Sequence, residues 1–278
     1  MTRQLQLLAA ICLSLVLTAC ATPEKQAFNR SVNKSIRSIT ILEPTPSEGF
    51  GVNVQNHPAL GFGLIGATIY ATEMSTKSRS FDEAMKPLNW SLTDEFVKQL
   101  ESELRAAGYQ VKRAKFDRER MRLIKEYKEL RDNQAIKPLL DTDAWLDVQT
   151  RDPLYVASSP SADYIPSIGL SARLVSALDQ SLLYREDFFY GYSFAAGKLE
   201  PVVIASDPKY RYTNTDALKK DTRETLAGVS EGVTRLVARI VQDIRHDGLT
   251  RATQGPALAP SMPPPMPLAP STTLPAKQ

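Results

Sequence analysis

Both cysteines of this 278-residue chain, Cys12 and Cys20, lie within its first twenty residues. No other feature constrains the fold as much: whatever folds beyond residue 20 has no thiol, disulfide or thiolate ligand and is stabilised by packing alone. The same twenty residues open on Arg3, run apolar and uncharged from Leu5 to Leu17, and reach small residues before Cys20. That is the order of an export signal, and the run is too short for a spanning helix of about 20 residues. The expectation is an exported protein whose residues 1–19 are removed as a signal peptide, Cys12 with them.

Composition narrows the function classes. A hydrophobic fraction of 42% suits a globular core. The formal charge of +3 is too small and too evenly mixed for a polyanion binder, so no nucleic-acid partner is expected. Two histidines leave little material for His-based catalysis or a Cys/His metal cage, and neither metal nor cofactor is expected.

Periodicity and turn residues lay out one mixed α/β domain over 36–248, with helices packed on a mixed sheet that includes one long hairpin. Residues 20–35 are polar and aperiodic and read as a tether. Strands are expected over Ile36–Leu42, Phe50–Val54, Tyr109–Ala114 and Asp143–Val148. A hairpin spans Ile165–Leu178 and Leu182–Phe194 around Asp179-Gln180-Ser181. Ser91-Leu-Thr-Asp94, the repeat of Leu92, Phe96, Leu100 and Leu104, and Gly108 mark a helix with both ends signalled. A long final helix is read over 216–246, and residues 75–89 as a polar connection. The segment 116–132 suggests an exposed charged helix. Residues 249–278 hold eight of the nineteen prolines and read as a disordered tail.

Several patterns invite chemistry. Gly61-Phe-Gly63-Leu-Ile-Gly66 matches a dinucleotide-loop spacing but lacks the following strand and its acidic residue. Asp141, Asp143 and Asp147 suggest a cation site, yet Trp145 stands where an acceptor is needed. Ser31-Val-Asn-Lys34 falls in the tether, and Gly191-Tyr-Ser193-Phe-Ala195 departs from the nucleophile elbow at its last position. Lys112–Arg131 carries a local +5, readable as a solvated face or a contact for acidic head groups. Tyr184, Phe188, Tyr190, Tyr192 and Phe194 read as core packing or a binding platform. The uncharged, glycine-rich run 59–72 is too short to span a membrane and reads as a buried or interfacial helix: core, interface and membrane contact all fit.

Leu17-Thr18-Ala19-Cys20 resembles the lipobox of bacterial lipoproteins. The resemblance implies that Cys20 becomes the first mature residue, bearing a thioether diacylglyceryl group and a palmitate-like N-acyl chain. Ala21, rather than Asp, implies sorting to the outer membrane of a diderm bacterium. The run 59–72, the Asp143-Ala-Trp-Leu-Asp-Val148 strand, Tyr164-Ile-Pro166 and Asp207-Pro-Lys-Tyr210 carry a wider resemblance to uncharacterised proteobacterial outer-membrane lipoproteins. The order of elements is similar, more distantly, to small α/β lipoproteins of curli secretion, exopolysaccharide export and peptidoglycan-synthase activation. Such a resemblance implies a non-enzymatic accessory protein, anchored at Cys20 on the periplasmic face, with envelope-protein partners and a homo-oligomer compatible with it. The alternative expectation is a carrier holding a lipid or glycan in an apolar pocket built from 59–72 and the aromatic strand. An envelope hydrolase is the third reading.

Overall fold

A computed structural model describes residues 25–47, 49–115, 141–193 and 200–245. In chain order these form β1 (Ser38–Leu42), β2 (Gly51–Val54), a 3-10 turn (Pro58–Phe62), α1 (Gly63–Met85), α2 (Leu92–Ala106), β3 (Gln110–Ala114), β4 (Ala144–Thr150) and β5 (Leu154–Ala157). There follow β6 (Ile165–Ser176), β7 (Leu182–Tyr190), β8 (Val202–Ile204), α3 (Thr215–Lys220) and α4 (Thr222–Ile244). The fold is mixed α/β, with helices packed on a curled mixed sheet. The expected charged helix at 116–132, the proline-rich tail and the Cys20 region lie outside the described residues.

The central strand is β6, whose twelve residues are long enough to hold two neighbours in succession along one side. Its later half pairs antiparallel with β4, from Ser176 opposite Ala144 to Leu170 opposite Thr150. Its start pairs with β5, Ser167 opposite Leu154. Parallel partners follow on both: β1 beside β4 with β3 outside it, and β2 beside β5 as an edge. On the other side of β6 lies β7, and β8 runs parallel to the last three residues of β7.

Alternation gives the sheet one face for the helices. Ile39, Ile41, Leu146, Val148, Ile168, Leu170, Leu174, Phe188 and Tyr190 are buried there with Val229, Val233, Leu236, Val237, Ile240 and Ile244 of α4. Gly232 lets α4 approach closely: a Cβ there would stand 2.4 Å from the Tyr190 ring. On the opposite face Leu42, Ala114, Trp145 and Val175 form a smaller apolar cluster, and buried Asp147 pairs with Arg173.

The helix with two signalled ends forms as expected. Ser91 Oγ accepts from Asp94 N–H at 3.2 Å, Leu92, Phe96, Leu100 and Leu104 are buried, and Gly108 takes φ 97°. The final helix is instead two, broken at Asp221. Asn214 caps α3 by accepting from Ala217 N–H, and Asp221 caps α4 by accepting from Glu224 N–H at 3.0 Å. The connection read over 75–89 is helical to Met85, held by the widely spaced buried residues Met74, Phe81 and Met85. The structure adds β5 and β8, which are only four and three residues long.

The stretch read as a tether is docked from Lys25 onward. Gln26 and Arg185 of β7 exchange backbone hydrogen bonds at 3.1 and 2.8 Å in an antiparallel bridge, Lys25 pairs with Glu186 at 3.1 Å, and Phe28 is buried. The free edge of β7, open before β8 begins, supplies the groups that order a polar segment.

Candidate functional site

Helix α1 packs across the edge strand β2 and satisfies it with side chains. Ser78 Oγ accepts from Val52 N–H at 3.1 Å and donates to Val52 C=O at 3.2 Å, while Asp82 Oδ1 accepts from Phe50 N–H at 2.9 Å. Tyr70 Oη, further toward the helix start, donates to Asn53 Oδ1 at 2.8 Å. Helix numbers fall as strand numbers rise, so the two run antiparallel. The first ten residues of α1 therefore project past Val54, where the strand ends.

That projection is the uncharged run. Its first three turns extend about 15 Å, and exposure climbs toward the tip: Ile69 is 56% exposed, Ile65 76% and Leu64 89%. Phe62 is 75% exposed and Leu60 45%, both on the 3-10 turn folded against the helix. Gly66 makes that fold possible, since a Cβ there would meet the Ala59 carbonyl at 1.7 Å, and Gly63 turns the chain with φ 62°. The Thr68 hydroxyl donates back to Leu64 C=O at 3.0 Å. Of the three assignments open for this run, core is excluded. The residues form an exposed apolar spur, larger than the scattered single hydrophobics normal on a protein surface.

A polar collar rings the base of the spur. His57 Nδ1 accepts from Ala59 N–H at 3.2 Å, capping the 3-10 turn, so the imidazole proton lies on Nε2, 3.4 Å from Glu73 Oε2. Glu73 Oε1 accepts from Lys77 Nζ at 2.6 Å. That bond, opposed by partial burial and aided by the charge of Lys77, holds the Glu73 carboxyl below its ordinary range. The same bond raises Lys77. Burial pushes the Tyr70 and Tyr164 phenols up, so both stay neutral donors at physiological pH. The charges of the collar are spent on one another.

Beside the collar an open cleft of about 300 Å³ is lined by Gly49, Phe50, Gly51, Ser78, Arg79, Asp82, Asp152 and Leu154. Of its two carboxylates, Asp82 is committed to Phe50 N–H and to Lys86 at 3.4 Å. Among the described residues no three of His, Cys, Asp and Glu gather to hold a metal ion, and no helix is long and apolar enough to cross a membrane.

The other patterns resolve structurally. Asp143 Oδ2 accepts from Arg37 N–H, Ser38 N–H and Ser38 Oγ, each at 2.8 Å, fixing the start of β1, while Asp147 turns to Arg173. Helix α1 does open at the glycine triplet, but the close approach at Gly66 is made by Ala59. Ser31 bonds Asn29 in an exposed turn. Gly191 takes φ 76° at the end of β7, where a Cβ would stand 1.8 Å from Pro166 C=O. Tyr184, Phe188 and Tyr190 are buried in the core, which does not bring them to the exposed spur. The cleft beside the collar draws on neither the aromatic strand nor 59–72, and Phe194 lies outside the described residues.

No protein-family model and no curated protein matches the sequence. Solved structures similar to it include the PelC dodecamer from Paraburkholderia phytofirmans, 10% identical over 81% of this chain and 94% of that one, TM-score 0.32. Protein XCC0632 from Xanthomonas campestris is 14% identical over 80% and 87%, TM-score 0.34. Lipoprotein GNA1162 from Neisseria meningitidis is 15% identical over 55% and 81%, TM-score 0.23. Likenesses this distant assign neither a family nor an activity.

Proposed function

We propose that this chain is a bacterial lipoprotein, acylated at Cys20 and held on the periplasmic face of the outer membrane, that acts by contact as an accessory part of an export or envelope-assembly system. The observation that carries the contact reading is the spur. It is the largest exposed apolar feature described, and the polar groups around it are engaged in holding its base and the β2 edge. A lipid-anchored protein with such a surface works by touching something. The lipobox-like Leu17-Thr18-Ala19-Cys20 supports the anchor, since a diacylglyceryl and an N-acyl chain together give stable membrane attachment.

Fractionation of cells producing a Cys20→Ala variant tests the anchor: it should leave the outer-membrane fraction for the soluble periplasm, and a variant that stays wholly in the outer membrane sinks this half. Crosslinking in intact cells, with affinity capture of the full-length chain, tests the other. Export, polymer-synthesis or cell-wall proteins should be captured by the native chain and lost from a Leu64→Asp, Ile65→Asp variant. Equal capture by both would remove the spur from the function.

A further inference from the structure

We infer that the apolar spur is a second membrane foot, inserted into the same lipid leaflet that holds the acyl chains on Cys20. The inference rests on the anchored reading above and takes the leaflet as what the spur touches; capture of partners then depends on the spur because it fixes how the anchored domain faces them.

The argument turns on the direction in which the chain leaves the domain toward Cys20. Gln26 lies opposite Arg185 in an antiparallel bridge, and Lys25 reaches Glu186, so stepping back along the chain moves toward higher numbers on β7. At Lys25 the chain therefore heads for the Tyr190 end of that strand. Five peptide steps separate Cys20 from Lys25, a reach of at most about 18 Å. Tyr190 pairs with Ile168, near the start of β6, and that start pairs with β5, whose last residue Ala157 lies beside Val54 of β2. The spur projects past Val54. Lys25 and the spur thus face one end of the sheet, separated sideways by four strand spacings from the docked segment across β7, β6 and β5 to β2, roughly 20 Å at about 4.8 Å each. The β6–β7 turn, with exposed Leu178, lies at the other end.

A leaflet lying across the anchored end meets the spur tip first. Phe62, Leu64 and Ile65 carry no charge, the Thr68 hydroxyl is satisfied within the helix, and the collar at its base, with Tyr70 and Tyr164 uncharged and Lys77 paired to Glu73, stands where aromatic side chains meet head groups. That places the tip at the boundary between acyl chains and head groups, about 5–10 Å deep, rather than at the bilayer centre. The acyl anchor keeps the leaflet permanently within reach, so even weak insertion is occupied.

The test uses the full-length chain, produced in a diderm host, purified in mild detergent and reconstituted into phosphatidylethanolamine–phosphatidylglycerol vesicles. One variant carries Leu64→Cys and a control carries Leu178→Cys, both at exposed positions, each labelled with an environment-sensitive dye. Acyl-chain spin labels should quench the dye at 64 at least about twofold more strongly than the dye at 178. Equal quenching at the two positions overturns the inference. So does a dye at 64 already shielded before lipid is added, with crosslinks between position 64 of two chains, because a second copy then covers the spur. The anchor is read separately by mass. One dye per chain means that Cys20 is blocked, whereas two mean that it is free; in that event quenching at 64 is measured again on the Cys20→Ser background, where selective quenching upholds the spur and its absence rejects it.

Discussion

At the scale of single residues, polar groups that look available in the sequence are spent on backbone. Asp143 was legible as a polar residue at the mouth of a strand, and it caps β1 from a position 105 residues away from Ser38. Burial pushes its carboxyl up, but the hydrogen bonds from Arg37 and Ser38 and the Arg37 charge outweigh burial and hold it below the ordinary value. As pH falls, the unfolded chain takes up this proton first, near the ordinary aspartate value of about 3.9. The stability Asp143 contributes is therefore complete above that value and is lost as pH descends through the lower folded one. Urea titrations between about pH 5 and 2 should show a shallower acid loss in Asp143→Asn than in the native chain; parallel curves would contradict this assignment. Glycines divide in the same way. Gly232→Ala forces a Cβ into the Tyr190 ring and should cost about 1–3 kcal/mol, whereas Gly61→Ala has nothing within 4 Å and should be close to neutral in thermal unfolding.

Among elements, legibility followed the density of buried residues. Helix α2 buries a residue on nearly every turn and announces both ends, and the β6–β7 hairpin alternates strongly, so each was readable. The later half of α1 buries only Phe81 and Met85 after Met74, too sparse a stripe to distinguish from a polar connection. Strand β5 is invisible for a different reason: four residues after Asp152-Pro153 find one partner in the start of β6 just ahead and the other in β2, far back along the chain. The break at Asp221 was hidden by the continuous apolar repeat, although Asp221-Thr-Arg-Glu224 is a helix-start pattern. That cap makes the break testable. Asp221→Ala removes the acceptor for Glu224 N–H and should lower stability by about 1 kcal/mol. A continuous helix through 215–244 would lose nothing, and an unchanged melting temperature would favour it over the two-helix arrangement.

For the whole molecule, the least legible feature is where the domain starts. Residues 20–35 have the composition of a tether, and composition cannot report that a sheet edge elsewhere in the fold is waiting for a partner. The spur was visible as an uncharged run, but its exposure was not, because burial depends on α1 outrunning β2. The docked segment decides how the domain is held: a free sixteen-residue tether would let it tumble beside a membrane, whereas docking at Lys25 leaves five steps and one exit direction. Phe28 is the apolar pin of that docking, packed into the main core at 8% exposure. Phe28→Ala should cost about 3 kcal/mol and release the segment before the domain unfolds. Hydrogen exchange separates the two events. The Arg185 amide, bonded to Gln26 C=O at 2.8 Å, should lose protection selectively, while amides paired within β4 and β6 keep theirs. If Arg185 exchanges no faster in the variant, the bridge holds without Phe28 and the orientation of the domain is set elsewhere. If it does exchange faster, the same substitution should also reduce spin-label quenching at position 64, because a domain freed from its short tether no longer keeps the spur over the leaflet.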